Sequence, residues 1–150
     1  MNTLLIRWQR LVSDGQTCPR CGGTEEAVQE AVSQLGRALG PLGIKVTLEK
    51  AELTVAEFQR SPLASNEILI DGRPLESWLG GETGQSPCCD VCGPADCRTL
   101  QVDGETHEAI PAELIVKAGL LAGAQLLGGK PVAMCCPPAE PAKGRSGCCP

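Results

Sequence analysis

The 150-residue chain has ten cysteines, 21% charged residues and a formal net charge of −5 at pH 7. Nucleic acid is not an expected partner, because phosphates attract a surplus of cations and bases stack on aromatic rings, which make up only 2% of this chain. Arg7 and Arg10 interrupt the first apolar run, which is therefore not typical of a signal peptide. The apolar stretch 114–127 contains Lys117 and Gln125 and is too short to span a bilayer. We therefore expect a cytoplasmic protein without membrane insertion.

Hydrophobic periodicity predicts strands and helices along most of the chain. The predicted strands, in chain order, cover residues 4–12, 44–48, 67–70 and 100–102. One predicted helix follows Cys21 up to the Gly-Pro stop at 40–43, and the others cover residues 55–61, 75–79 and 111–127. Asp-Gly turns follow the third and fourth strands, a Gly-rich loop covers 80–87, and cysteines cluster at 88–97. The order β-α-β-α-β-β-α predicts one α/β domain over residues 1–127, with a mixed central sheet and a cysteine-rich loop at 80–97.

The first cysteine motif is Cys18-Pro19-Arg20-Cys21, between a predicted strand and a predicted helix. At a helix N-terminus the dipole and the unpaired N–H groups stabilise a thiolate, and Arg20 adds a positive charge. A thiolate is both a nucleophile and a metal ligand, so the motif suits redox exchange or metal binding. In redox exchange we expect Cys18, taken as the more exposed thiol, to attack and Cys21 to resolve. The alternative is one half of a structural zinc knuckle.

A second motif places four thiols within ten residues, at Cys88, Cys89, Cys92 and Cys97. Four thiolates this close suit tetrahedral Zn²⁺, and they also suit As(III), Hg(II) or Cu(I). The sequence leaves open whether this cluster completes a site with the CxxC, stands alone as a working site, or is a structural Cys₄ zinc site. It predicts no organic cofactor.

The last segment, residues 128–150, is rich in proline and contains two Cys-Cys pairs, so we predict a flexible tail. Adjacent cysteines lie about 3.8 Å apart at Cα, too close for an ordinary disulfide but suitable for chelating a soft ion. The pairs are Cys135–Cys136 and Cys148–Cys149. The tail resembles the cysteine pair that ends mercuric reductases, which implies a metal delivery arm. The alternative is a disordered end whose cysteines are incidental.

The strand–CxxC–helix start, the two further βα units and the terminal helix resemble the thioredoxin fold. More narrowly, the CxxC, the CCxxCGxxxxC cluster and the helix start at 110–114 resemble a thioredoxin-like family of prokaryotic proteins without assigned function. One departure concerns the cis-proline that thioredoxins place before the third strand: here Asn66 occupies that place, and the nearest proline is Pro62. Because non-proline residues prefer trans bonds, we expect a more open space beside the CxxC and an activity unlike that of thioredoxin.

These patterns predict a thiol protein that binds or transfers soft metal or metalloid ions through six cysteines. The predicted ligands are Cys18, Cys21, Cys88, Cys89, Cys92 and Cys97. One alternative is a thiol-disulfide oxidoreductase that uses Cys18 and Cys21 on a protein or small thiol partner. Another is a binding module with a structural Cys₄ zinc. The single histidine, His107, is expected on the surface rather than as a ligand.

Overall fold

The computed structural model describes residues 2–87 and 92–128, which form a mixed α/β structure with two sheets. The strands are β1 Asn2–Leu11, β2 Ile44–Leu53, β3 Glu67–Ile70, β4 Arg73–Pro74, β5 Glu82–Pro87, β6 Asp96–Val102 and β7 Glu105–His107. The helices are α1 Pro19–Leu39, α2 Val55–Arg60, α3 Leu75–Leu79 and α4 Ala112–Leu126, with 3₁₀ turns at Gly40–Leu42 and Pro62–Ala64. No helix among the described residues is long and apolar enough to cross a membrane. The predicted tail, with both of its cysteine pairs, lies outside the described residues.

The central sheet has the order β2-β1-β3-β4, so β1 lies inside it between β2 and β3. β1 runs parallel to β2 and antiparallel to β3, so the predicted mixed sheet is confirmed. Leu4, Ile6 and Trp8 alternate along β1 and are completely buried, as expected for the core face of a strand with period two. β1 ends at Leu11, and the chain then reaches the CxxC through a short turn.

Helices α1 and α4 pack side by side and run in the same direction. Near the start of both, the Ile110 backbone N–H donates to Thr24 Oγ1 over 3.1 Å. Further along, a Cβ at Gly119 or Gly123 would collide with Leu35 or Leu39, so both glycines are needed for this close approach. The CxxC end of α1 therefore lies beside the start of α4, and the end of α4 lies beside the far end of α1.

The second sheet is antiparallel, with the order β5-β6-β7, and it differs from the prediction in two ways. The predicted loop over 80–87 contains strand β5, and the predicted strand over 100–102 belongs to the longer β6 rather than to the central sheet. The fourth central strand is instead β4, which follows the Asp71-Gly72 turn directly. The composition of β5 gives little intrinsic strand propensity, and six residue pairs with the buried β6 order it.

Candidate functional site

The CxxC forms the first turn of α1. Cys18 is the N-cap residue with extended backbone, Pro19 is the first helical residue, and the Gly22 N–H donates to the Cys18 carbonyl over 2.9 Å. Cys18 and Cys21 are reduced thiols, and each is only 2% exposed. The expectation that Cys18 is the more exposed thiol is therefore wrong, because the turn buries both side chains in the core. Its role as the attacking thiol stays a prediction.

The surroundings of Cys21 lower the pKa of its thiol below the ordinary 9.0. The main cause is a hydrogen bond from Cys18; burial opposes it, and bonds from Ser65 and Thr17 reinforce it. The Ser65 oxygen lies 3.8 Å from Cys21 Sγ and accepts the Leu11 N–H over 3.0 Å, which leaves the Ser65 hydroxyl hydrogen for the sulfur. These hydrogen bonds favour the thiolate form of Cys21.

Ser65 and Asn66 fill the place that was expected to be open beside the CxxC. Ser65 is completely buried, and Asn66 is 2% exposed with a positive φ of 65°. The Asn66 side chain accepts from Trp8 Nε1 over 3.3 Å and donates to the Glu108 carbonyl over 3.1 Å. No cis peptide bond occurs in residues 2–87 or 92–128. The expectation of a more open space beside the CxxC is therefore wrong, because the side chains of Ser65 and Asn66 occupy it. Sequence reasoning missed Ser65, although it directly precedes Asn66.

Strands β5 and β6 form a hairpin that pairs as far as Pro87 and Asp96, and Cys97 lies on its second strand. Arg20 of the CxxC holds both strands of this hairpin. Its Nη2 donates to Ser86 Oγ over 3.0 Å and to the Pro87 carbonyl over 3.1 Å, and its Nη1 donates to the Cys97 carbonyl over 3.5 Å. Arg20 also pairs with Glu108 at 3.2 Å, and its side chain is only 7% exposed. Its charge is therefore used to hold the hairpin and is balanced by a carboxylate.

This contact brings part of the second motif to the first. Cys92 and Cys97 are reduced thiols, 6% and 1% exposed, and a negative charge on Cys92 raises the pKa of Cys21. Cys88 and Cys89 lie outside the described residues, as do the tail cysteines. Within the described part of the chain, no three or more His, Cys, Asp or Glu side chains are grouped to hold a metal ion. The described thiols therefore converge without forming a complete polydentate site by themselves.

A second arginine, Arg98, fixes β6 next to Cys97. Its Nη2 lies 2.8 Å from Glu76 Oε1 on α3, and its Nη1 lies 3.2 Å from Glu67 Oε2 on β3. The same guanidinium donates to the Leu63 carbonyl over 2.8 Å and to Thr83 Oγ1 over 3.1 Å. Arg98 is 8% exposed, so this is a buried charge network that joins the two sheets.

His107 lies on β7, where its Nε2 is 3.7 Å from Glu105 Oε2 and its side chain is 20% exposed. The His107 side chain is therefore partly buried rather than fully solvated.

Comparison with known proteins adds relatives but no activity. Residues 4–119 match the family model described as "Domain of unknown function (DUF2703)". A protein of Archaeoglobus fulgidus, described as "Uncharacterized protein", is 49% identical over 112 residues, which is 75% of this chain and 82% of the relative. No solved structure matches. The matched segment includes the CxxC, both arginines and the whole cysteine cluster.

Proposed function

We propose that this chain, which belongs to the family described as "Domain of unknown function (DUF2703)", is a cytoplasmic thioredoxin-like protein. In this proposal it binds or transfers soft metal or metalloid ions through its cysteine thiolates. The order β2-β1-β3-β4, with β1 and β2 parallel and β3 and β4 antiparallel to their neighbours, supports a thioredoxin-like core. On this reading the segment from α3 to β7 is an insertion before the last helix, and it carries the second set of cysteines.

The observation that carries the proposal is the Arg20 contact. One side chain, directly between the two CxxC cysteines, bonds to both strands of the hairpin whose second strand carries Cys97. A redox pair needs only two thiols, whereas this contact joins a cysteine-bearing strand to that pair. Soft ions favour several thiolates, and Cys88 and Cys89 would complete a three- or four-sulfur site for As(III) or Zn²⁺. Two thiolates already suffice for a linear Hg(II) or Cu(I) site.

The test is an anaerobic titration of the reduced protein with arsenite, Hg(II), Cu(I) and Zn(II), followed by thiolate–metal absorbance and calorimetry. We expect at least one ion to bind with a dissociation constant below micromolar. Cys21→Ser should weaken that binding at least tenfold, because it removes a thiol whose surroundings stabilise the thiolate. His107→Gln serves as the matched control and should bind like the wild type. If no ion binds below micromolar, the proposal fails.

One observation favours a second candidate, a thiol-disulfide oxidoreductase. Cys18 hydrogen-bonds to Cys21 and lowers its pKa, so the pair is arranged as thiolate and proton donor. A disulfide reductase assay on the wild type, Cys18→Ser and Cys21→Ser distinguishes the candidates. Loss of activity in both variants, together with weak ion binding, would favour this function. Elemental analysis covers the third reading, since one tightly held zinc with an inert CxxC would indicate a structural Cys₄ site.

A further inference from the structure

A cavity of about 280 Å³ opens beside Cys92. Leu11 and Phe58 form its buried wall, with 3% and 2% of their surfaces exposed. Val55 stands at its rim and is 45% exposed, so the cavity is reached from solvent. Pro94 and Ala95, which directly follow Cys92 and Gly93 on the hairpin, form the opposite wall. Ser13 and Gln59 add polar groups to a lining that is otherwise mostly apolar, and Cys92 forms part of the wall.

This cavity adjoins the thiol site through Leu11. The Leu11 backbone N–H donates to Ser65 Oγ over 3.0 Å, and Ser65 Oγ lies 3.8 Å from Cys21 Sγ. Leu11 in the cavity wall is therefore linked to Cys21 through a single residue, Ser65. A bare ion bound by thiolates has no use for apolar space of this size, whereas an apolar group attached to the ion does. Apolar cavities of roughly 150 Å³ already bind benzene in proteins.

We propose that the cavity takes the organic substituent of a monosubstituted trivalent arsenical, R–As(OH)₂, whose arsenic is bound by Cys92 and Cys21. This rests on the proposed function and names its substrate class. In the binding step two As–S bonds form, two As–O bonds break, and the two thiol protons leave with the hydroxides as two water molecules. Arsenic remains As(III), so no oxidant or reductant is consumed. The apolar group then lies against Leu11, Phe58 and Ala95.

The test compares phenylarsonous acid with methylarsonous acid, which use the same two As–S bonds but differ in the apolar group. Dithiothreitol, a dithiol without a cavity, supplies the reference preference for phenyl over methyl. Burial of the additional ring surface should increase the preference of the protein over that reference by roughly a hundredfold. Cys92→Ser should reduce the preference to the dithiothreitol value, because the arsenic is then no longer held at the cavity.

Two cavity-filling variants, Ala95→Leu and Val55→Phe, keep all ten thiols, and Val55 is exposed enough to be replaced without refolding the core. Each should weaken phenylarsonous acid at least tenfold and change methylarsonous acid less than twofold. If wild-type protein and both variants show the dithiothreitol preference, the cavity assignment is overturned while the proposed function stands. If neither arsenical binds and the titration with inorganic ions also fails, both are overturned.

Discussion

The two groups of cysteines are held in place by different physics. Cys18 and Cys21 are positioned by local structure, since a strand ends, a helix begins, and the helix start fixes the spacing of the pair. Cys92 and Cys97 are positioned by side chains that are distant in sequence, because Arg20 holds the ends of their hairpin and Arg98 anchors β6 to the central sheet. The first arrangement survives most distant substitutions, whereas the second depends on two guanidinium groups.

This difference also bears on function. A site made only by the helix start would work with two thiols, in exchange or in linear coordination. A site that adds the hairpin gains further sulfur and the adjoining cavity, but only while both arginines hold the hairpin against α1 and β3. The comparison therefore predicts that the hairpin contribution can be removed separately, and the following experiments test that separation.

The largest expected effect is on stability and comes from Arg98→Met. This change leaves Glu76, whose side chain is 9% exposed, as an unpaired buried charge next to a partly buried Glu67. Removal of one partner of a buried pair costs about 3–5 kcal/mol, so the free energy of unfolding in urea should fall by that order. Arg7→Met is the matched control: its 3.7 Å pair with Glu49 is exposed, and we expect a loss below about 0.5 kcal/mol.

The double variant Arg98→Met/Glu76→Leu tests whether the loss comes from charge. Because both partners of the closest pair are then apolar, it should regain more than half of the lost free energy. If the double variant is as unstable as Arg98→Met alone, packing of the guanidinium rather than its charge holds β6.

A smaller effect is expected for Arg20→Met, which removes hydrogen bonds to Ser86, Pro87 and Cys97. Glu108 is 63% exposed and can be solvated without its partner, so we expect the unfolding free energy to fall by only about 1–2 kcal/mol. The more specific result concerns ion binding: the affinity should fall while Cys18 and Cys21 remain intact. Arg37→Met, in the last turn of the same helix, is the control and should leave affinity unchanged. Equal affinity in both variants would mean that the hairpin contributes nothing to the site.

Elements that depend on local sequence were predicted, whereas elements that depend on distant contacts were missed. The CxxC, its helix and the α4 start follow from short-range signals, namely apolar spacing and prolines at helix starts. The structure adds a capping box at Thr54 that begins α2 and was not predicted. The two Asp-Gly turns were also predicted, and they adopt positive φ at both residues. Strand β5 was missed because its stability comes from pairing with β6, and no local pattern encodes that pairing.

The contents of the site show the same limit. Arg20 was expected to raise the positive charge at the thiols, but its partner Glu108 lies 88 residues away in sequence, and only the fold shows the pairing. Ser65 carries no motif, and its importance depends on a 3.8 Å approach to Cys21 across the core. The sequence could not show whether the cysteine cluster lies near the CxxC, because for Cys92 and Cys97 this depends on how β5 and β6 pair. Cys88 and Cys89 lie outside the described residues.

A third prediction reads the pKa of Cys21 by titration of its ¹³Cβ chemical shift. Cys18→Ala should raise that pKa most, because it removes the largest stabilising hydrogen bond, and Ser65→Ala should raise it less. Cys92→Ser should shift the pKa the opposite way, since it removes a repelling negative charge. In the Arg20→Met background the effect of Cys92→Ser should disappear if Arg20 holds Cys92 near Cys21. An effect of unchanged size there would show that another contact holds the loop.

The lowered pKa also sets a pH dependence of stability. Between the folded-state pKa of Cys21 and the ordinary 9.0, the unfolded chain binds more protons than the folded one, so stability rises with pH. This contribution is lost as the pH falls through the folded-state pKa. Urea unfolding across that window should give a positive slope for the wild type and a smaller one for Cys21→Ser. Identical slopes would contradict a stabilised thiolate at Cys21.

The smallest effects concern the two cysteine pairs of residues 128–150, and geometry separates them. Helix α1 has 21 residues and is about 31 Å long, and Gly123 of the parallel α4 lies beside Leu39 at its far end. The chain therefore leaves α4 roughly 30 Å from Cys18. The seven peptide units from Gly128 to Cys135 span at most about 25 Å between Cα atoms, whereas the twenty units to Cys148 span at most about 70 Å.

Within one molecule, the pair Cys148–Cys149 therefore reaches the CxxC without full extension of the chain, whereas the pair Cys135–Cys136 reaches it only when the chain is almost fully extended. Stopped-flow transfer from a glutathione-bound ion should slow severalfold in Cys148→Ser/Cys149→Ser and change much less in Cys135→Ser/Cys136→Ser, which is the matched control. Removal of residues 129–150 should change the unfolding free energy by less than about 1 kcal/mol, as for a terminus without packing contacts. Because delivery within one molecule is unimolecular, the rate constant of the slowed step should not depend on the concentration of the protein or of the glutathione-bound ion. Equal rates in both variants would make the tail cysteines irrelevant to loading, and unfolding of the truncated chain would show that they belong to the folded structure.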